Sequence, residues 1–206
     1  MTYLEHVGKY FIMLGRVFKK PQKPLIFYQA LLKEIEDLGL KSLGIIMFIS
    51  FFIGGVISLQ TALNLDSPFI PDSLIGFAAK RSIILEFAPT FCSIILAGKV
   101  GSYITSSIGT MRVTEQIDAL EVMGINSLNL LVLPKIIAAL FFYPFLILLA
   151  MCLGIFGGWV AGVLSGLFSG ADYIIGLQTD FDPFLIVYAL IKTLIFSFLI
   201  ATVPSY

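Results

Sequence analysis

Two charged side chains, Glu86 and Lys192, interrupt stretches that are otherwise apolar. Glu86 lies in IILEFAPTF and Lys192 lies in ALIKTLIF. A charge that faces lipid is costly, so such residues usually face a cavity or an opposite charge. The two could line a substrate path or carry protons or ions. Alternatively, Glu86 could have a purely structural role and pair with Lys80 or Arg81, about one helical turn before it.

Pro89 follows Glu86 by three residues and lacks a backbone N–H. A proline inside a helix removes one backbone hydrogen bond and loosens the helix there. A charged group beside such an irregularity is typical of the wall of a substrate path.

A second charged segment, GTMRVTEQIDALEVMG (109–124), separates two apolar stretches. Its apolar residues Val113, Ile117 and Leu120 have the i, i+4, i+7 spacing of one helix face. Gly124 is well placed as the left-handed residue that ends the helix. The pattern predicts a short amphipathic helix that either only joins two spans or docks a soluble partner through its apolar face. The residues assigned to this helix are Arg112, Val113, Glu115, Ile117, Asp118, Leu120 and Glu121.

The composition indicates which elements position these residues. Of 206 residues, 58% are hydrophobic and 13% are charged, and the mean hydropathy is +0.99. Residues 42–65 and 136–171 contain no Asp, Glu, Lys or Arg, and a helix needs about 20 apolar residues to cross a bilayer. We therefore expect an all-α, polytopic transmembrane bundle, with spans at about 42–63, 74–107 and 128–160 and a last one from about residue 183.

The distribution of charge predicts the orientation. Residues 1–41 contain seven Lys or Arg and four acids, whereas residues 166–183 contain three Asp and no base. By the positive-inside tendency, the N-terminus is cytoplasmic and the 166–183 loop lies outside. Residues 3–18 have apolar side chains at helical spacing and are typical of an interfacial amphipathic helix. The net charge of zero gives no indication of nucleic-acid binding.

Glycine recurs at every fourth residue along the third span. Small residues at this spacing let helix backbones approach closely, either within the bundle or between subunits. This helix-packing face comprises Gly154, Gly158, Gly162 and Gly166.

Enzymatic and metal sites are not indicated. The single histidine, His6, leaves no Ser/His/Asp set, and Cys92 and Cys152 both lie in apolar stretches. AGKVGS resembles a phosphate-binding loop, but a Walker A motif needs Gly at the position of Ser93 and Ser or Thr at that of Val100.

The sequence LAGKVGSYITSSIGTMRVTEQIDALEVMGI (96–125), with ILEFAPTF before it and IKTLIF after it, closely resembles the MlaE family. These proteins are the permease subunits of lipid-transporting ABC systems of the bacterial cell envelope. The resemblance implies a homodimer in the inner membrane, bound to cytoplasmic ATPase subunits and to an MCE-domain lipid-binding protein outside. Segment 109–124 would be the coupling helix that docks on the ATPase. ATP and Mg would bind the ATPase, so this chain needs no cofactor.

The resemblance also assigns residues to a lipid pathway. Glu86 matches the family's membrane-embedded glutamate near the lipid pocket, and Lys192 matches a lysine of its later motif. Leu85 occupies the position of a common arginine, Lys99 replaces another arginine, and Ser107 stands where many members have a second glutamate. The residues expected to line the pathway are Glu86, Lys192, Leu59, Leu85 and Pro89.

We therefore expect a single permease domain over residues 1–206, with an interfacial segment at 1–24 and a membrane bundle at 25–206 that lacks the family's last span. The expected function is ATP-driven transfer of phospholipid or a related lipid between the inner membrane and the MCE protein. The alternatives are an ion-coupled secondary transporter that uses Glu86 and Lys192, and a membrane scaffold.

Overall fold

The computed structural model describes residues 3–18, 24–65 and 71–206. Helices account for nearly all of these residues, and no strand occurs among them. This confirms the all-α prediction. The elements in chain order are α1 (Tyr3–Val17), α2 (Pro24–Glu34), a first π-helical turn (Ile35–Leu40), α3 (Lys41–Asn64), α4 (Ser73–Ser82), a second π-helical turn (Ile83–Phe91), α5 (Cys92–Val113), α6 (Gln116–Val122), α7 (Ser127–Leu131), α8 (Leu133–Ser165), α9 (Gly170–Gln178) and α10 (Phe184–Thr202).

Within the described ranges, four helical stretches are long and apolar enough to cross a membrane. They are Pro24–Asn64, Ser73–Val113, Ser127–Ser165 and Phe184–Thr202. The polytopic prediction is therefore confirmed. The first stretch is longer than expected because α2 continues through the first π-helical turn into α3. Pro21, which the sequence predicts to end the interfacial helix, and Asp66 and Pro68, which it assigns to a turn after the first span, lie outside the described residues.

Two helices expose rows of apolar side chains that suit contact with lipid. On α3, Phe48, Phe52 and Val56 recur every fourth residue and are all more than half exposed. On α1, Leu4 and Phe11 are also largely exposed. Exposed apolar residues on one side of α1 suit a helix that lies in the membrane interface.

The chain forms two compact units. The first consists of the described residues of Met1–Ser42 with Leu96–Tyr143 and Ile195–Tyr206, and the second consists of the described residues of Leu43–Ile95 with Pro144–Leu194. Each unit combines stretches from distant parts of the sequence. The expectation of one domain over residues 1–206 stays a prediction.

Helices α3 and α8 are in close contact within the second unit. A Cβ atom added to Gly54 would overlap the carbonyl of Gly154, and one added to Gly157 would overlap the carbonyl of Phe51. Gly158 lies against the hydroxyls of Ser58 and Tyr173, which are 3.1 Å apart. Glycine thus lets the two backbones approach to a distance that any side chain would prevent.

The other glycines of the predicted packing face have different surroundings. Gly162 lies against the ring of Phe168. Gly166 comes after the last residue of α8 and has a φ of +69°. It therefore follows the helix end as a left-handed residue, and its assignment to the helix-packing face was wrong.

This packing predicts opposite effects for two glycines on the same helix. Gly54→Ala should lower the free energy of unfolding by about 1–3 kcal/mol because the new methyl group overlaps α8. Gly44→Ala is the matched control, since a Cβ there meets nothing within 4 Å, and it should raise stability by up to about 1 kcal/mol. Thermal unfolding in mild detergent measures both, and equal stability of the two variants would contradict the packing.

Candidate functional site

Glu86 lies in the second π-helical turn, where Pro89 disturbs the helix. In a regular α-helix, the carbonyl of Leu85 would accept a hydrogen bond from the N–H of residue 89, which proline lacks. The regular ladder therefore cannot continue through this turn, and π-helical turns of this kind are frequent at functional sites.

Lys192 of α10 forms an ion pair with Glu86. Its Nζ donates to both carboxylate oxygens, at 2.9 and 3.0 Å, and to the carbonyl of Leu85 at 2.9 Å. The structure thus brings together three of the five residues that the sequence assigns to the lipid pathway. The sequence left open whether the two charges meet.

Lys80 and Arg81 have other partners. Lys80 is buried and donates to the carbonyls of Leu177 and Thr179, at 3.1 and 2.7 Å. A guanidinium nitrogen of Arg81 lies 3.9 Å from a carboxylate oxygen of Asp180. Neither Lys80 nor Arg81 therefore pairs with Glu86, and the alternative in which one of them neutralises Glu86 was wrong.

The Glu86–Lys192 pair lies at the surface of the chain. The side chain of Glu86 is 61% exposed and that of Lys192 is 22% exposed, although both belong to stretches apolar enough to cross a membrane. Hydrocarbon is a poor environment for an open ion pair. The exposed carboxylate is therefore a point where a polar group of a ligand or partner can bind.

The remaining residues assigned to the pathway, Pro89 and Leu59, are not among the hydrogen-bond partners of Lys192. Pro89 is buried and Leu59 is partly buried. A narrow, mainly apolar crevice borders the second π-helical turn, but neither Leu59 nor Glu86 lines it. Its lining consists of Ser50, Ile53, Gly54, Ile57, Ile83, Phe87, Ala88, Cys92, Ala150 and Gly154.

Within segment 109–124, the short helix α6 lies between two left-handed residues. Glu115, just before α6, has a φ of +59°, and Gly124, after α6, has a φ of +72°. The N–H of Gly124 donates to the carbonyl of Glu121, and that of Ile125 donates to the carbonyl of Leu120. These two bonds form a Schellman motif, which ends the helix as the sequence predicts at Gly124.

The helix begins later than predicted. Arg112 and Val113 are the last residues of α5, and α6 begins only at Gln116. Val113, Ile117 and Leu120 therefore do not share one helix face, and that part of the prediction was wrong. The left-handed conformation at Glu115 separates the two helices; it is uncommon for a residue other than glycine and has no clear sequence signal.

The apolar residues of this segment point in two directions. Ile117 and Leu120 are partly buried and line a groove of about 310 Å³ together with Met111, Leu130 and Leu131. In contrast, Val113 and Val122 are 85% and 89% exposed. Val122 is not among the residues that the sequence assigns to this helix, although it stands in the same segment.

The charged residues of the segment are exposed. They are Arg112, Glu115, Asp118 and Glu121. Glu121 also accepts a hydrogen bond from the Ser127 hydroxyl at 3.1 Å, which joins α6 to α7.

The start of α7 is attached to the end of α1. The side-chain amides of Asn126 and Asn129 donate to the carbonyls of Arg16 and Val17, at 3.1 and 2.7 Å. The last carbonyls of a helix have no partner inside it. These amides therefore fix the position of the α6–α7 connection relative to α1.

Comparison with known proteins identifies the family. The family model described as Permease MlaE matches residues 31–206. The chain belongs to the MlaE permease family. This confirms the resemblance recognised in the sequence.

Relatives of this MlaE-family chain include bacterial and plant proteins. A Rickettsia bellii protein named "Probable ABC transporter permease protein" is 31% identical over 202 residues, which are 98% of this chain and 78% of the relative. The intermembrane phospholipid transport system permease protein MlaE of Haemophilus influenzae is 34% identical over 153 residues, 74% of this chain and 58% of the relative. The Arabidopsis thaliana protein TRIGALACTOSYLDIACYLGLYCEROL 1, chloroplastic, is 31% identical over 199 residues, 93% of this chain and 55% of the relative.

Membership in the MlaE family, together with the four membrane-competent stretches among the described residues, makes the chain a multi-pass membrane permease. Its homologues are named as transporter permeases.

The ion pair predicts unequal effects of neutralising its two members. Lys192→Met removes the donor to both Glu86 and the Leu85 carbonyl, whereas Glu86→Gln keeps an oxygen that can accept from Lys192. We expect Lys192→Met to lower the free energy of unfolding by about 1–2 kcal/mol more than Glu86→Gln. Thermal unfolding of the single and double variants tests this. Equal losses from the two single variants, with additive effects in the double variant, would contradict the arrangement.

Proposed function

We propose that this chain is the permease subunit of an ABC transporter that moves phospholipid or a related lipid between the bacterial inner membrane and an MCE-domain lipid-carrier protein. Two copies form a homodimer, and the N-terminus lies in the cytoplasm. Membership in the MlaE family supports this proposal, as does the name of the Haemophilus relative.

The exposed Glu86–Lys192 pair is the observation that carries the lipid assignment. A phospholipid headgroup contains a phosphate, and many headgroups also contain an ammonium. Lys192 can bind the phosphate and Glu86 the ammonium, so the headgroup covers charges that hydrocarbon would leave unsolvated. The carboxylate is the more exposed member of the pair, so a cationic headgroup reaches it first.

The exposed apolar residues beside α6 support docking of an ATPase. Val113 and Val122 are almost fully exposed, and the exposed charged residues around them are one base, Arg112, and three acids, Glu115, Asp118 and Glu121. The partner surface would therefore combine an apolar groove with a basic rim. ATP and Mg bind in that partner, and this chain converts the closure of the ATPase into a change of the lipid site.

Reconstitution tests this proposal. Vesicles that contain the chain and its ATPase should transfer fluorescent phospholipid to an MCE-domain acceptor only when ATP is present. The double variant Val113→Asp, Val122→Asp should reduce both copurification of the ATPase and transfer by at least about tenfold, because two charges enter an apolar contact.

Leu164→Asp is the matched control for this experiment. Leu164 is also largely exposed, at 82%, but lies near the end of α8. It should copurify with the ATPase like the wild type. Normal copurification of the Val113/Val122 variant would contradict docking at α6. Lipid transfer that needs an ion gradient and no ATPase would favour the secondary-transporter alternative instead.

A further inference from the structure

A second group of charged residues lies within the first unit, around the first π-helical turn. Glu34 ends α2, and Asp37 lies in the turn itself. Lys135 of α8 forms an ion pair with Glu34, and the side chains of these two residues are only 3% and 14% exposed. Tyr103 of α5 donates from its hydroxyl to Asp37 at 2.8 Å. We call Glu34, Asp37, Tyr103 and Lys135 the π-turn cluster.

Members of the cluster also contact each other. The Lys135 ammonium lies 5.1 Å from the centre of the Tyr103 ring, a distance at which a cation and an aromatic ring attract each other. Tyr103 of α5 therefore contacts the turn, Lys135 of α8 contacts the residue just before it, and the two side chains contact each other. Gly39 adds a steric contact between the turn and α8, since a Cβ there would lie 2.5 Å from the Phe142 ring.

The positions of these residues in the chain connect the cluster to α6. Tyr103 belongs to α5, the helix that leads into α6, and Lys135 is the third residue of α8, which follows α7. The helices before and after the α6–α7 connection thus contact the same π-helical turn. That turn continues directly into α3, which forms most of the first span.

The cluster contains a group that is not fully satisfied. One carboxylate oxygen of Glu34 pairs with Lys135, whereas Glu34 Oε2 is buried and has no hydrogen-bond partner. A buried polar atom without a partner is destabilising, and native proteins contain few of them. A movement of the turn that supplied a donor to Oε2 would therefore gain a contact. π-helical turns within α-helices are themselves frequent at functional sites.

We propose that the π-turn cluster transmits displacement of α6 to the first span. Movement of α6 shifts the ends of α5 and α8, and Tyr103 and Lys135 pass this shift to the turn that begins α3. These are positioning residues, since none of them binds lipid or nucleotide in this account. The inference rests on the proposed function, because it needs an ATPase that moves α6.

The test compares lipid transfer with ATP hydrolysis in the intact complex of chain, ATPase and MCE-domain acceptor. Tyr103→Phe removes only the hydroxyl that binds Asp37 and should reduce the lipid transferred per ATP hydrolysed by about fivefold. The double variant Glu34→Gln, Lys135→Met should reduce this ratio by at least about tenfold, because it replaces a buried ion pair. Both variants should copurify with the ATPase in wild-type amounts.

Lys41→Gln is the matched control. Lys41 also pairs with Asp37, but its side chain is 61% exposed and the pair joins two residues one turn apart in the sequence. This variant should keep the wild-type ratio. If the Glu34/Lys135 variant does not fold, the charge-exchanged variant Glu34→Lys, Lys135→Glu should fold and recover part of the coupling.

The outcomes separate the inference from the function on which it rests. An unchanged ratio in Tyr103→Phe would overturn the transmission role, and so would loss of ATPase copurification in that variant, since the cluster would then act only by holding the docking site in shape. Absence of ATP-dependent transfer with the wild-type chain would instead overturn the proposed function.

Discussion

The structure depends on the inability of hydrocarbon to solvate charge and unpaired backbone groups. Inside a bilayer, polar groups must find partners within the protein. Lys80 meets this requirement by donating to carbonyls at the end of α9, and Lys135 meets it by pairing with Glu34. Lys192 pairs with Glu86, but the carboxylate of that pair stays largely exposed. Of these three sites, the Glu86 site is therefore the one that a polar ligand can complete.

The same constraint explains the packing of the helices. Burial of apolar surface gives little driving force between helices in lipid, so close van der Waals contact becomes more important. Glycines on α3 and α8 permit that contact, and the hydroxyls of Ser58 and Tyr173 form a hydrogen bond beside Gly158.

The short helix α6 differs from the membrane-competent helices. Its exposed charges and the left-handed residues around it suit a rigid element in water that presents apolar side chains to a protein partner.

Part of this could be predicted from the sequence because it depends on composition along the chain. Long uncharged stretches predicted the spans, and Gly124 predicted the end of α6. The pairing of Glu86 with Lys192 could not be predicted from spacing, because hydropathy does not tell which spans are neighbours. The break at Glu115 was missed because a non-glycine residue adopts the left-handed conformation there. Gly166 was misassigned because a regular four-residue spacing continues past the last residue of the helix.

The central claim is that α6 lies on the side of the membrane where nucleotide is available. Cysteine labelling tests it most directly, in a Cys152→Ser background, since Cys152 is exposed and Cys92 is buried. The chain should be expressed without its ATPase, so that no partner covers α6, and treated with a maleimide that cannot cross the inner membrane. With α6 on the cytoplasmic side, Asp182→Cys should react in intact cells, whereas Asp118→Cys should react only after the inner membrane is opened. Labelling of Asp118→Cys in intact cells would contradict the account.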